Sequence, residues 1–161
     1  MASIYVGTYE KYNNGSIQGK WLDLSDYTDK EDFLSACKAL HEDEQDPEFM
    51  FQDHEGIPSK FVNESWVSEE VWDYITSDIE EGVKEAYMFL FNKWDADECG
   101  DIYEGDFSSW KNFAEHIVEE EGLLDDMPQV IQSHFCCESY GGDLKSSGDY
   151  SEHEGHYFRS N

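Results

Sequence analysis

Thirty-eight of the 161 residues are Asp or Glu and only ten are Lys or Arg, leaving a formal net charge of −28. A chain this acidic cannot neutralise a phosphate backbone, which excludes ordinary nucleic-acid binding. Adsorption to an anionic membrane surface is disfavoured for the same reason. Disorder is the usual fate of so charged a chain, yet it also carries 10 Phe, 10 Tyr and 5 Trp. Burying large rings is what offsets chain entropy, and disordered acidic segments are poor in them. The sequence therefore describes a folded acidic protein.

The acids are not gathered into a tail. Residues 1–60 carry 13 acids and 5 bases, 61–106 carry 14 and 2, and 107–161 carry 11 and 3. No repeat and no Pro- or Gly-rich linker divides the chain, so the expected organisation is three small abutting units: 1–60, 61–106 and 107–161. No apolar run reaches a membrane span, and Met1–Glu10 has no basic segment leading into an apolar one. The cysteines Cys37, Cys99, Cys136 and Cys137 form no C-x-x-C pair. Reduced thiols and a cytoplasmic setting are expected.

Local patterns predict an α+β chain of short antiparallel sheets with helices and a helical middle. Ser3–Thr8 reads as a strand, Asn14-Gly15 as a hairpin turn, and 16–24 as the returning strand. Thr28 with Glu31 resembles a capping box before a helix carrying Phe33, Leu34, Cys37 and Leu40. Residues 48–52 read as a third strand. Helices are predicted after Ser68, over 79–94, and over 109–121 with Gly122 as the stop. A short helix is expected from Pro128 to Phe135, with turns and short strands in the last 20 residues.

Asp95–Asp106 has the look of a twelve-residue calcium loop, with Asp95 and Asp97 at positions 1 and 3, Gly100 at 6, Asp101 at 7 and Asp106 at 12. Cys99 sits where a hard cation needs oxygen, and Asp106 replaces the longer Glu. A calcium-responsive binding protein is thus the alternative reading, and no other metal or cofactor is expected. The six histidines, including His134 beside Cys136 and Cys137, match no zinc spacing. No nucleophile elbow, P-loop or dinucleotide fingerprint is present, so an enzyme is not expected. High acidity serving solubility alone is the bland competitor.

The charge has a more specific use. Duplex DNA carries one charge per ~1.7 Å, so 28 charges correspond to roughly 48 Å, about 14 base pairs. Rigidly held acids can imitate that array for a basic groove. The acids predicted to lie outside the apolar stripes, or in the loops between them, are Glu69, Glu70, Asp73, Asp78, Glu80, Glu81, Glu85, Asp95, Asp97, Asp101, Glu104 and Asp106. Glu115, Glu119, Glu120, Asp125 and Asp126 extend the set.

Three stretches carry a resemblance. Ile4-Tyr5-Val6-Gly7-Thr8-Tyr9, Lys11-Tyr12-Asn13-Asn14-Gly15 and Gly19-Lys20-Trp21-Leu22-Asp23-Leu24 form an opening segment. Gln52-Asp53-His54-Glu55-Gly56-Ile57-Pro58 follows, and Ser139-Tyr140-Gly141-Gly142-Asp143-Leu144 with Ser147-Gly148-Asp149-Tyr150 lies near the end. In this order they resemble the ArdA antirestriction family, whose late motif is usually written YGRDL. Gly142 stands here in place of its Arg. The resemblance implies a DNA mimic occupying the DNA-binding groove of type I restriction–modification enzymes, inhibiting restriction and in some members modification, on behalf of a mobile genetic element. It also implies an elongated homodimer and singles out Tyr140, Gly141, Asp143 and Leu144 as motif residues. A turn that packs Tyr140 and Leu144 is the structural alternative for that motif.

Overall fold

The structure is a computed structural model describing residues 1–160, which gather into two compact units, Met1–Asp78 and Ile79–Asn161. The division between them falls at 78/79 in the sequence. The class is α+β, with helices around three small antiparallel sheets.

In the first unit β1 (Ser3–Thr8) is the central strand, flanked by β2 (Lys20–Asp23) and β3 (Phe49–Glu55). Alternation decides its faces. Ile4 and Val6 are fully buried, as are Phe33 and Cys37 of helix α2 (Lys30–Leu40). Phe33 packs against Phe51 and Trp72 at ring distances of 6.0 and 5.9 Å. Trp72 belongs to α3 (Glu70–Thr76), and its indole N–H donates to the Leu24 carbonyl at 3.2 Å. The strands β4 (Val62–Asn63) and β5 (Trp66–Val67) form a minimal hairpin.

The pairing of β1 with β2 is as expected, but the link between them is not a tight hairpin turn. Thr8 caps a short helix, α1 (Tyr9–Asn13), its hydroxyl oxygen accepting from the Lys11 N–H. Asn14-Gly15 ends that helix, with Gly15 at φ +80°. Asn14 has φ −87°, which is incompatible with the turn that demands positive φ at both positions. The signal was one of positive φ, and a helix stop uses it as well as a hairpin does. The cap of α2 also moves one residue: Asp29 accepts from the Asp32 N–H, while the Asp32 carboxylate accepts from the Thr28 N–H.

The second unit holds α4 (Glu81–Phe91), α5 (Ala96–Ile102), β6 (Tyr103–Asp106), α6 (Trp110–Glu120), α7 (Gln129–Gln132), α8 (Cys137–Ser147), β7 (Tyr150–His153) and β8 (His156–Arg159). The sheet order is β6-β8-β7. On one part of it Phe113, Ala114 and Ile117 of α6 meet Leu144 of α8 and Tyr157 of β8. On another, Phe158 packs against Tyr87 and Phe91 of α4 and Tyr103 of β6. Ser109 caps α6 by accepting from the Asn112 N–H, and Gly122 stops the chain after it at φ +61°.

Two expectations for this unit are corrected. Residues 95–106 do not form a loop. Asp95 accepts from the Glu98 N–H as the cap of α5, Cys99 is buried, and the chain passes directly into β6. The carboxylates of a calcium loop must converge from an irregular backbone, and α5 commits that backbone to a helix. The last 20 residues include most of α8, not only turns and strands. Gly141 and Gly142 lie inside this helix and not in a turn.

Candidate functional site

None of the 38 acids is buried, and all but Asp23, Glu44, Glu98, Glu104 and Glu152 are exposed. The apolar stripes turn inward and leave the acids no other place. In α4, Val83, Ala86 and Tyr87 are buried, and Glu81 and Glu85 lie outside. In α6, Phe113, Ala114, Ile117 and Val118 are buried, and Glu115, Glu119 and Glu120 lie outside. Glu69, Glu70 and Asp73 at the start of α3 are exposed, as are Asp78 and Glu80. Glu69, Glu70, Glu81 and Asp97 also stand at helix N-termini, where the backbone dipole favours negative charge. Asp95, Asp97, Asp101, Asp106, Asp125 and Asp126 are exposed, and Glu104 is half-buried.

Cations thin this array only locally. Lys84 approaches Glu81 at 2.9 Å, Lys111 approaches Glu115 at 3.7 Å, and the Arg159 guanidinium meets Glu104 at 2.6 Å. His116 lies 3.5 Å from Glu120. Residues 1–78 hold 18 acids and 5 bases, and residues 79–161 hold 20 and 5, so the units carry −13 and −15. Each unit is strongly negative on its own account.

The motif residues divide by face. Leu144 is 8 % exposed within the Phe113–Tyr157 cluster, and Tyr140 packs against that cluster and edge-on to Phe135 at 5.7 Å. Gly141 packs closely against the start of α6. A Cβ there would lie 2.5 Å from the Trp110 carbonyl oxygen. Asp143 and Gly142 point outward, and a Cβ on Gly142 would meet nothing within 4 Å. The packing alternative for Tyr140 and Leu144 is thus the arrangement found, on a helix instead of a turn.

The structure also assembles groups that the sequence left apart. His41, 2 % exposed, contacts the Val6 carbonyl through Nε2 at 3.2 Å and the Lys11 ammonium through Nδ1 at 2.9 Å. A carbonyl only accepts, so Nε2 carries the proton and Nδ1 accepts from Lys11. The same ammonium donates to Asp43 at 2.9 Å and lies 3.5 Å from Glu44, which accepts from the Thr8 hydroxyl at 2.6 Å. The Asp43 hydrogen bond raises the Lys11 pKa, and Lys11 lowers that of Asp43. His41, Asp43 and Glu44 have metal-ligand proximity, but a lysine ammonium already stands among them. The separation of 30 residues between Lys11 and His41 left no local signal to find.

The two buried thiols are poor nucleophiles. Burial pushes Cys37 up to about 12 and Cys99 up to about 11, whereas a reactive cysteine needs its thiolate stabilised. Tyr87 is likewise raised, first by burial and then by its hydrogen bond to Glu98. Glu98 is lowered by hydrogen bonds from Lys93 and Tyr87. Among the described residues no helix is long and apolar enough to cross a membrane.

The comparisons bear on the whole length. No curated protein matches the chain. A family model described as "Antirestriction protein (ArdA)" matches residues 4–159.

Proposed function

The chain belongs to the ArdA antirestriction protein family, and from that premise we propose that it inhibits restriction by imitating DNA. The target is the DNA-binding groove of a type I restriction–modification enzyme. Carboxylates take the places of phosphates against the groove's lysines and arginines, and the duplex is kept out. The mechanism is non-catalytic, needs no cofactor, and acts as a homodimer in the cytoplasm. Modification is blocked together with restriction wherever both use the same groove.

The observation that carries this reading is the disposition of charge: 38 acids, none buried, shared almost evenly by two folded units. An acidic hydrolase would need a carboxylate withdrawn from water to hold a proton at neutral pH. A fold that leaves 33 of its 38 acids exposed serves long-range attraction instead. In sequence, Glu69, Glu70, Asp73 and Asp78 close the first unit, and Glu80, Glu81 and Glu85 open the second. Asp95, Asp97, Asp101, Glu104, Asp106, Glu115, Glu119, Glu120, Asp125 and Asp126 follow in the second unit. Helices hold most of these positions, so less order has to be imposed on binding.

The direct test is competition. A purified type I enzyme is loaded with fluorescent duplex, and the protein is added at constant ionic strength. Stoichiometric loss of bound DNA is expected, with duplex and protein excluding one another. A ternary complex in which DNA stays bound would contradict occupation of the groove.

A further inference from the structure

One site in the first unit differs in kind from the acidic surface. An open groove of about 780 Å³ runs beside β1 and β3, within the size range of small-ligand sites. Tyr5, Tyr12, Asp53 and Glu64 line it, with Met50 and His54 among the other walls; the Asp53 carboxylate accepts from the His54 N–H at 2.8 Å, and that of Glu64 accepts from the Tyr9 hydroxyl. No lysine or arginine lines it.

Its construction is specific. The β1–β3 register shifts between Tyr5 and Val6: Tyr5 pairs with Asp53, Val6 with Phe51, and Gln52 is the extra residue of a bulge. The Gln52 amide lies where a Cβ on Gly7 would be crowded at 3.1 Å. Tyr5 is held by its hydroxyl, which donates to the Ile17 carbonyl at 3.0 Å, and by an edge-on contact with Trp21 at 5.5 Å. The Glu64 carbonyl accepts from the Phe51 N–H at 2.7 Å, which ties the far wall to β3. Tyr12, by contrast, is 52 % exposed.

We propose that this groove receives an arginine side chain of the protein partner. A guanidinium stacks on an aromatic face and pairs with carboxylate in the same pose, which a compact ammonium does less well. The walls repel phosphate and offer no set of converging ligands for a metal ion. The source rests on the proposed reading, because a DNA-binding groove presents arginines to the phosphates it normally holds. The groove then adds to diffuse attraction a fixed anchor, of the residue type over-represented among interface hot spots.

The test has an arm that does not involve the enzyme. Isotope-labelled full-length protein is titrated with Nα-acetyl-arginine amide at fixed ionic strength, with the uncharged citrulline analogue as comparison. Saturable shifts confined to the amides of Tyr5, Tyr12, 52–54 and Glu64 are expected, with citrulline binding far weaker. Tyr12→Ala and Glu64→Gln should each weaken arginine-amide binding about fivefold, and Tyr12→Phe should keep it. Tyr12→Ala leaves the net charge unchanged, so it should weaken enzyme inhibition without changing the salt response. Shifts spread over the exposed acids, equal binding of citrulline, or full inhibition by a folded Tyr12→Ala protein would each overturn the proposal. Wild-type protein that failed to displace DNA would count against groove occupation itself, a separate outcome.

Discussion

Gly141 and Gly142 are neighbours in one helix with opposite reasons for lacking a side chain. At Gly141 a methyl would be driven to 2.5 Å from the Trp110 carbonyl oxygen, so the glycine sets the distance between α6 and α8. Gly141→Ala should lower stability by about 1–3 kcal/mol through overpacking. Gly142→Ala, on the open side, should raise it by up to about 1 kcal/mol from helix propensity. Urea unfolding of the two variants checks the contrast. In sequence the pair reads as part of a turn, because the backbone that Gly141 packs against, that of Trp110, lies 31 residues away. The pair also bears on the motif: Gly142 has open space around it, so the arginine usual in the family could be accommodated here.

The Lys11–Asp43 contact gives a second prediction at this scale. Asp43 is held below its ordinary value by the hydrogen bond from Lys11, so its contribution is complete above the unfolded carboxylate range. That contribution is lost as pH falls through the depressed folded value. Lys11 is raised by the same bond, so its share is complete below the ordinary lysine value of 10.5. It is lost as pH rises through the higher folded value. The difference in urea midpoint between wild type and Asp43→Asn should therefore be largest near neutrality and shrink at both extremes. It should be small throughout, because Asp43 is well exposed. A difference growing toward acid would contradict the assignment.

Among the elements, those with a strong period and an unambiguous cap were legible, and those set by distant packing were not. Ser3–Thr8 formed as a strand over the expected span, central in its sheet and buried except at Tyr5. Ser109 and Gly122 bracketed α6 as expected. The segment 95–106 misled because acids are so frequent here that spacing alone imitates a calcium loop. The decisive datum was Asp95 accepting from the Glu98 N–H, which any N-cap Asp can do. Asp95→Ala should cost about 0.5–2 kcal/mol as a lost cap. Calorimetric titration with calcium should give the same trace for wild type and variant. Submillimolar calcium binding abolished by Asp95→Ala would restore the ion-site reading. The acidic surface was legible as composition and as residues outside apolar stripes. The tyrosine-lined groove was not, since it depends on a bulge that brings Gln52 and Asp53 beside Tyr5.

At the scale of the whole molecule, charge acts in two directions at once. A net −28 repels itself within the fold and attracts a basic partner outside it, and salt screens both. Raising salt should therefore raise the melting temperature of the free protein while weakening its complex. Individual exposed charges contribute little each, so Glu81→Gln should scarcely alter inhibition. Neutralising eight to twelve of the acids between Glu69 and Asp126 should abolish it with the fold intact. The measurement that most directly tests imitation of a phosphate array is the dependence of enzyme affinity on salt. The logarithm of the association constant, plotted against the logarithm of salt concentration, should fall steeply and linearly, as it does for duplex on the same enzyme. A flat line for this protein, beside a steep one for DNA, would contradict the account.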